Sequence, residues 1–147
     1  MAATRSESKH TKTKKTDVES SSSVVTPASL SELSTLLNRQ TLVCVEFSAT
    51  WCGPCKAFAP IYEKLAQEYT GWCTMVKIDA DTTDFKEFAD QHDVRSLPTF
   101  LLFLDGKPVK RHCGAQKTTA PDRIRTMILD HISKLSPRTN PRTNPTQ

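Results

Sequence analysis

Two of the chain's five cysteines lie in the segment Trp51-Cys52-Gly53-Pro54-Cys55-Lys56, where an apolar run gives way to a helical pattern. Cysteines three residues apart can close a small disulfide across the first turn of a helix. The unpaired backbone N–H groups and the positive end of the helix dipole also stabilise a thiolate there. Cys52 lies at or just before the helix start. We therefore predict that Cys52 is the nucleophile and that Cys55, one turn deeper, is the resolving thiol.

The same spacing of two cysteines occurs in half of a zinc site, which requires a second pair of ligands. The nearest other soft ligands are His112 and Cys113, and they lack the usual ligand spacing. Gly53 and Pro54, between Cys52 and Cys55, also give a stiff turn. We therefore favour the redox interpretation and expect no metal.

The apolar pattern around this segment alternates between strand and helix periodicity. Residues 41–48 are apolar on both faces except for Glu46, which predicts a buried strand of a parallel sheet. Further strands are predicted at 24–25, 74–79, 99–104 and 108–113, and helices after Ser29 (with a Glu32 capping box), at 55–70, at 84–91 and from Pro121. The order β-α-β-α-β-α-β-β-α predicts an α/β fold in which helices sandwich a central mixed β-sheet.

The formal net charge of +4 belongs to the two ends of the chain. Residues 1–26 contain five Lys or Arg against three acidic residues, residues 136–147 contain two Arg and no acid, and residues 27–135 contain thirteen of each sign. We predict a disordered basic Ser/Thr/Lys-rich tail at 1–21, a folded domain at 22–135 and a disordered Pro/Arg/Thr/Asn repeat tail at 136–147. The sparse basic cluster at 9–15 could address the nucleus or contact nucleic acid, but a solvated tail is favoured.

Several classes of protein are excluded by composition. The longest apolar runs are far shorter than the roughly 20 residues that span a bilayer, so no membrane protein is expected. The first 25 residues lack the apolar stretch of a secretory signal, and their acidic residues fit a mitochondrial presequence poorly. An odd number of cysteines without a secretory signal indicates reduced thiols. We expect a cytoplasmic protein, with the nucleus as the alternative.

Four blocks of sequence resemble the thioredoxin family in their order and spacing: FSATWCGPCK at 47–56, VKID at 76–79, VRSLPT at 94–99 and GA at 114–115. The resemblance covers residues 24–135 and implies a thioredoxin fold. It further implies a monomeric protein disulfide reductase that acts through a mixed disulfide and contributes to cell redox homeostasis. Pro54 favours a reductant, because oxidase and isomerase relatives usually carry His at that position.

The resemblance also implies partners. The electrons would come from NADPH through thioredoxin reductase, or from a ferredoxin-dependent reductase in a plastid, and no cofactor would be bound to the chain itself. The implied clients are peroxiredoxins, methionine sulfoxide reductases and ribonucleotide reductase.

In the family, the proline that matches Pro98 is cis and packs beside the dithiol, and the backbone of the residue that matches Leu97 pairs with an extended client segment. The alternative is an ordinary trans-proline at the start of a strand. The resemblance implies an apolar surface around the sulfurs, which we call the docking patch: Trp51, Leu97, Pro98, Gly114 and Ala115. A rival function is a binding or chaperone module that uses this patch without turnover, and the intact cysteine pair disfavours it.

Glu46 is a departure from the family, which usually carries Asp at this point of the buried strand. A lone acid in an apolar strand should have a raised pKa, unless Lys77 pairs with it and lowers the pKa. We predict that Glu46 is the general acid and base for Cys55 and that Lys77 tunes it. The alternatives are a structural buried ion pair, or a Glu46 side chain that reaches the surface.

Five residues outside the motif receive simpler interpretations. Cys44, in the apolar strand, is interpreted as an inert core residue. Cys73, which we expect to be partly exposed, and Cys113 are candidate regulatory thiols, although a structural role is favoured for both. Asp81 and Arg95 are interpreted as solvated charges.

Overall fold

A computed structural model of the chain describes residues 22–135. These residues form α1 (Leu30–Arg39), β1 (Leu42–Ser48), α2 (Gly53–Glu68), β2 (Thr74–Asp79), α3 (Thr83–Gln91), β3 (Thr99–Leu104), β4 (Lys107–Cys113) and α4 (Ala120–Ile132). The predictions for the tails at 1–21 and 136–147, and for the basic cluster at 9–15, lie outside the described residues. No helix among those described is long and apolar enough to cross a membrane.

The four strands form one mixed sheet in the order β2-β1-β3-β4. β1 pairs in parallel with β2 and antiparallel with β3, and β3 continues into β4 as an antiparallel hairpin. All seven residues of β1 are buried, as expected for a central strand that is covered on both faces. This arrangement places the C-terminal end of β1, just before the cysteine motif, between the neighbouring strands β2 and β3.

The first predicted strand, at 24–25, is reduced to a single bridge. Val25 pairs with Val76 of β2, but no further ladder forms. Pro27, two residues along the chain, has no N–H with which to extend a parallel ladder. The prediction of a short strand at 24–25 was therefore wrong in extent, because only Val25 pairs.

The helix boundaries follow local signals in the sequence. At the start of α1, Ser29 Oγ accepts a hydrogen bond from the Glu32 N–H (3.2 Å), and Glu32 Oε1 accepts one from the Ala28 N–H (2.8 Å). The predicted capping box is present, with its second bond shifted by one residue to Ala28. α2 begins at Gly53, somewhat earlier than predicted, and Pro121 lies in the first turn of α4, as predicted.

Each side of the sheet carries its own buried layer. The layer toward α2 and α4 contains Leu42, Cys44, Phe58, Tyr62, Leu65, Ala66, Tyr69, Cys73, Met75, Phe100, Leu102, Ala120, Ile124, Met127 and Ile128. The layer toward α1 and α3 contains Leu33, Leu37, Val43, Val45, Phe47, Val76, Ile78, Ala80, Phe85, Ala89, Leu101 and Phe103. The predicted α/β architecture, a mixed sheet sandwiched by helices, is confirmed.

Candidate active site

Cys52 and Cys55 are joined by a disulfide across the first turn of α2, and their Cα atoms are 5.3 Å apart. Cys52 is the N-cap residue of the helix. It has extended backbone angles, and its sulfur accepts a hydrogen bond from the Cys55 N–H at 3.2 Å. This is the bond that a Ser or Asp oxygen makes at most N-caps, so the sulfur takes the place of the capping oxygen. Cys52 is 3% exposed and Cys55 is fully buried. The predicted position of Cys52 at the helix start is confirmed.

The Leu97–Pro98 peptide bond lies next to this pair and is cis. Leu97 is half-buried and packs against Ala49 and the two cysteines, whereas Pro98 is buried at the start of β3. The sheet brings the two segments together because β3 lies antiparallel beside β1, so the start of β3 faces the end of β1. The expectation of a cis-proline is confirmed, and the trans alternative was wrong.

The loop after β4 approaches the same place. The Gly114 N–H donates a hydrogen bond to the Pro98 carbonyl oxygen at 2.9 Å. Gly114 has a φ of +103°, which L side chains rarely adopt, and this bond therefore depends on a glycine. Ala115 is half-buried and packs against the layer beneath α2 and α4. Gly114 thus belongs beside the cis-proline, whereas Ala115 also anchors its loop to the core.

Trp51 is the most exposed part of the docking patch, with 67% of its surface accessible. Its indole Nε1–H donates a hydrogen bond to Asp81 Oδ2, and the backbone N–H of Asp81 is held by Asp79 Oδ1 at 2.9 Å. Asp81 follows β2, which lies beside β1 in the sheet. The interpretation of Asp81 as a solvated charge missed this role in orienting Trp51. The two residues are 30 positions apart, so no local pattern marks the contact.

Glu46 is fully buried in β1, directly opposite Lys77 in the parallel register with β2. Among the described residues, neither carboxylate oxygen of Glu46 has a hydrogen-bond partner. Burial raises the pKa of Glu46 from its ordinary 4.5 to about 7, and the positive charge of Lys77 opposes this rise. The alternative of a Glu46 side chain that reaches the surface was wrong, because Glu46 is fully buried. Lys77 interacts with Glu46 through its charge without a hydrogen bond to the carboxylate, so the alternative of a buried ion pair stays open.

The three free cysteines have different environments. Cys44 is fully buried, and burial raises the pKa of its thiol to about 12, which fits an inert core residue. Cys73 is only 5% exposed, and burial raises the pKa of its thiol well above the ordinary value. The expectation of partial exposure was therefore wrong for Cys73, which packs beneath α2 and α4. Cys113 is exposed, and its sulfur accepts a hydrogen bond from Thr99 Oγ1 at 3.6 Å.

The zinc alternative finds no support in this geometry. Over residues 22–135, no group of three or more His, Cys, Asp or Glu side chains is placed to hold a metal ion. His112, the candidate soft ligand, stacks on Phe100 with ring centroids 6.2 Å apart. Cys52 and Cys55 are bonded to each other. The site therefore has the features of dithiol–disulfide exchange: a CxxC pair at a helix start, a cis-proline beside it and a buried acid in the strand that precedes it.

Comparison with known proteins agrees with this class. A protein-family model described as thioredoxin matches residues 9–127. The chain is 40% identical over 126 residues to thioredoxin from Mycobacterium tuberculosis, covering 85% of this chain and 99% of that protein. It is 36% identical over 125 residues to a bifunctional thioredoxin reductase/thioredoxin from Mycobacterium leprae, covering 85% of this chain but 25% of that larger protein.

Solved structures give the same result. A thioredoxin from Nicotiana alata is similar at 35% identity with a TM-score of 0.65, covering 75% of this chain and 93% of that one. Thioredoxin from Plasmodium falciparum is similar at 30% identity with a TM-score of 0.64, covering 73% and 98%. The chain belongs to the thioredoxin family. It is a dithiol–disulfide oxidoreductase whose redox-active disulfide is Cys52–Cys55.

Proposed function

We propose that Cys52 and Cys55 reduce client disulfides in two exchange steps. The Cys52 thiolate attacks one sulfur of the client disulfide, which forms a mixed disulfide and releases the other client sulfur as a thiolate. Cys55 then attacks the Cys52 sulfur, releases the second client thiol and leaves the Cys52–Cys55 disulfide. Two electrons pass to the client in each cycle. The N-cap position of Cys52 carries this proposal, because the same N–H groups and helix dipole would stabilise its thiolate.

Glu46 is the proposed proton carrier for Cys55. It accepts the thiol proton when Cys55 attacks the mixed disulfide, and it returns a proton when the disulfide is opened again by the reductant. A pKa near 7 suits both directions, because both forms of the carboxyl group are populated at neutral pH. Lys77 tunes this balance by favouring the ionised form of Glu46.

The docking patch is the proposed binding surface for clients. An extended client segment would lie along the backbone of Leu97, with the exposed ring of Trp51 on one side and the Gly114 loop on the other. The support is geometric: Leu97 packs against the cluster of Ala49, Cys52 and Cys55, and the Gly114 N–H donates to the Pro98 carbonyl oxygen. Apolar contacts of this kind bind many sequences, so the patch suits a reductant with several clients.

The proposed electron donor is NADPH, acting through thioredoxin reductase. The Mycobacterium leprae relative supports this, because its description combines a thioredoxin reductase with a thioredoxin in one protein. The proposed clients are peroxiredoxins, methionine sulfoxide reductases and ribonucleotide reductase. Support for the first of these clients comes from a solved structure that is 31% identical to this chain with a TM-score of 0.63; it concerns thiol resolution in a yeast mitochondrial 1-Cys peroxiredoxin via glutathione/thioredoxin systems. We further propose a monomer without bound cofactor in the cytoplasm, with the nucleus as the alternative site.

Reduction of insulin with NADPH and a thioredoxin reductase tests the assignment of the two sulfurs. Cys52→Ser should abolish turnover, because no nucleophile remains to form the mixed disulfide. Cys55→Ser should form that mixed disulfide and stop there, giving an adduct on a non-reducing gel that added dithiol removes. If the adduct accumulates with Cys52→Ser and not with Cys55→Ser, the two roles are reversed.

The role of Glu46 is tested separately with Glu46→Gln, which keeps the size of the side chain and removes its proton chemistry. Loss of a general acid and base lowers a rate by roughly a hundredfold or more, so we expect roughly a hundredfold loss of turnover at pH 7. The measurement is insulin turnover from pH 6 to pH 8 at equal folded concentration. Wild-type turnover across this range would exclude Glu46 as the proton carrier.

A further inference from the structure

The buried acid lies beneath the segment 22–26, which we call the strap. The strap runs along the outer edge of β2, where the Val25 N–H donates to the Met75 carbonyl oxygen and the Lys77 N–H donates to the Val25 carbonyl oxygen, both at 2.9 Å. These two bonds are its only backbone ladder within the described residues, because Pro27 interrupts the pairing. Val24 of the strap also packs against the layer beneath α2 and α4, and Pro27 directly after the strap is buried, so these two bonds are one part of its attachment.

A second attachment comes from Glu63 of α2. Glu63 Oε1 accepts a hydrogen bond from Ser22 Oγ at 2.9 Å, and Glu63 Oε2 accepts one from the Ser23 N–H at 2.7 Å. Burial acts to raise the pKa of Glu63, but the bonds from Ser23 and Ser22 outweigh it, so the pKa is lowered. The carboxylate is therefore ionised at neutral pH. Both bonds are charge-assisted, the stronger kind.

Beneath the strap is a cavity of about 340 Å³. It is lined by Ser22, Val24, Thr26, Glu46, Ala59, Tyr62, Glu63 and Lys77. Both oxygens of Glu46 lack a protein partner among the described residues and are out of contact with solvent, although Glu46 lines this cavity. The strap and Glu63 therefore line the same cavity as Glu46, which opens to solvent.

The other ionisable groups around Glu46 do not replace water as the partner that would solvate its carboxylate. They are Lys77 on β2, Cys44 on β1, and Tyr62 and Glu63 on α2. The Tyr62 hydroxyl donates to the carbonyl oxygens of Cys44 and Val76, at 3.0 and 2.9 Å, and it is neutral at pH 7 because burial raises its pKa. The Cys44 thiol is neutral for the same reason. β3 places Phe100 opposite Glu46, and the strap carries no charged side chain.

We propose that Glu63 is a positioning residue for the proton chemistry of Glu46, because it clamps the strap over the cavity and so limits how far water reaches the buried carboxyl group. The inference rests on the proposed function of Glu46. With the strap clamped, Glu46 stays poorly hydrated and keeps its pKa near 7. With the strap released, water solvates the carboxylate, and the pKa of Glu46 falls toward its ordinary value of 4.5. Glu46 would then seldom carry the proton that Cys55 needs at neutral pH.

The test compares Ser22→Ala, Glu63→Ala and the matched control Gln67→Ala. Gln67 Nε2 donates to the same Glu63 carboxylate at 3.3 Å, but from α2 itself and not from the strap. Two quantities are measured in the oxidised protein: the pKa of Glu46 from the carboxyl carbon resonance of labelled glutamate, and the exchange rate of the Lys77 amide, whose acceptor is Val25 of the strap.

We expect Ser22→Ala and Glu63→Ala to lower the pKa of Glu46 and to speed exchange of the Lys77 amide by roughly tenfold, which corresponds to about 1.4 kcal/mol of lost hydrogen bonding. Gln67→Ala should change neither. Ser22→Ala is the decisive variant because it leaves the charge of Glu63 in place, so a lower pKa cannot come from removing a neighbouring negative charge.

The proposal is overturned if both strap variants exchange the Lys77 amide faster while the pKa of Glu46 stays at the wild-type value. It is equally overturned if neither variant changes the exchange rate, because the clamp would then not hold the strap. These readouts do not depend on turnover. Full turnover by Glu46→Gln would remove the proposed proton carrier, but it would leave the control of Glu46 hydration by the strap as a separate result.

Discussion

β1 presents alternate side chains to two different environments. Toward α1 and α3 it presents Val43, Val45 and Phe47, which belong to a cluster of apolar side chains. Toward α2 and α4 the same strand presents Cys44 and Glu46. Of the buried side chains in the described part of the chain, the acid Glu46 and the only buried histidine, His131, both lie on this second side. The comparison indicates that both faces of the sheet supply packing, and that the face toward α2 and α4 also accepts the cost of a buried ionisable group.

Separation of the two faces is possible because successive residues of a strand point in opposite directions. Glu46 and Phe47 are neighbours in sequence, yet one lines a polar cavity and the other stacks on Phe88 with ring centroids 5.8 Å apart. A change at Phe47 should therefore act on stability alone, whereas a change at Glu46 should also act on proton chemistry. The predictions below test this division.

The largest effect is expected on the apolar face. Phe47 is fully buried, and Phe47→Ala should lower the free energy of unfolding by about 3–5 kcal/mol, because the large cavity left behind collapses only partly. The measurement is urea unfolding at pH 7, with Phe47→Leu as a milder control. Turnover per folded molecule should stay at the wild-type value. A loss of turnover beyond the unfolded fraction would show that the two faces are not separate.

A smaller effect is expected from the titration of Glu46. Its pKa is about 7 in the folded protein and 4.5 as an ordinary carboxyl group, so the folded state holds the proton more tightly. The contribution of Glu46 to stability is therefore greatest below pH 4.5, falls as the pH rises to 7 and stays lower above it, by about 3 kcal/mol in total.

Urea unfolding of wild type and Glu46→Gln from pH 4 to pH 8 measures this effect. The glutamine variant lacks the titration, so the difference between the two proteins isolates Glu46 even though a buried amide has a constant cost of its own. A difference that does not vary with pH would mean that Glu46 is well solvated in the folded state.

The features that the sequence predicted well are those with local causes. The bounds of β2 and β3, the N-cap position of Cys52 and the capping box of α1 each depend on side chains within a few residues of one another. The family resemblance added the cis bond before Pro98, which local chemistry permits but does not require.

The features that the sequence missed are long-range. Cys73 is buried because the layer beneath α2 and α4 covers it, and α4 lies far along the chain. Asp81 reaches Trp51 across 30 residues, and Glu63 reaches Ser22 across 41. Glu46 and Lys77 are paired by register, as their positions in parallel strands predict, but register does not fix where a long flexible lysine side chain ends. Contacts of this kind depend on the packed fold and leave no periodic signal.

The smallest effect is expected at the exposed rim of the site, which Trp51 and Asp81 form. Asp81→Ala removes the acceptor of the Trp51 indole N–H, while Asp81→Asn keeps an acceptor oxygen. Water can replace this bond on a side chain that is 67% exposed, so the free energy of unfolding should fall by less than about 1 kcal/mol.

The freed Trp51 ring samples more orientations, so KM for insulin should rise roughly twofold to threefold with little change in kcat, as expected when only binding is affected. Asp81→Asn should behave like wild type in both respects. A large fall in kcat for Asp81→Ala would mean that the rim takes part in the chemistry itself, and the division between a packing face, a proton face and a binding rim would then need to be redrawn.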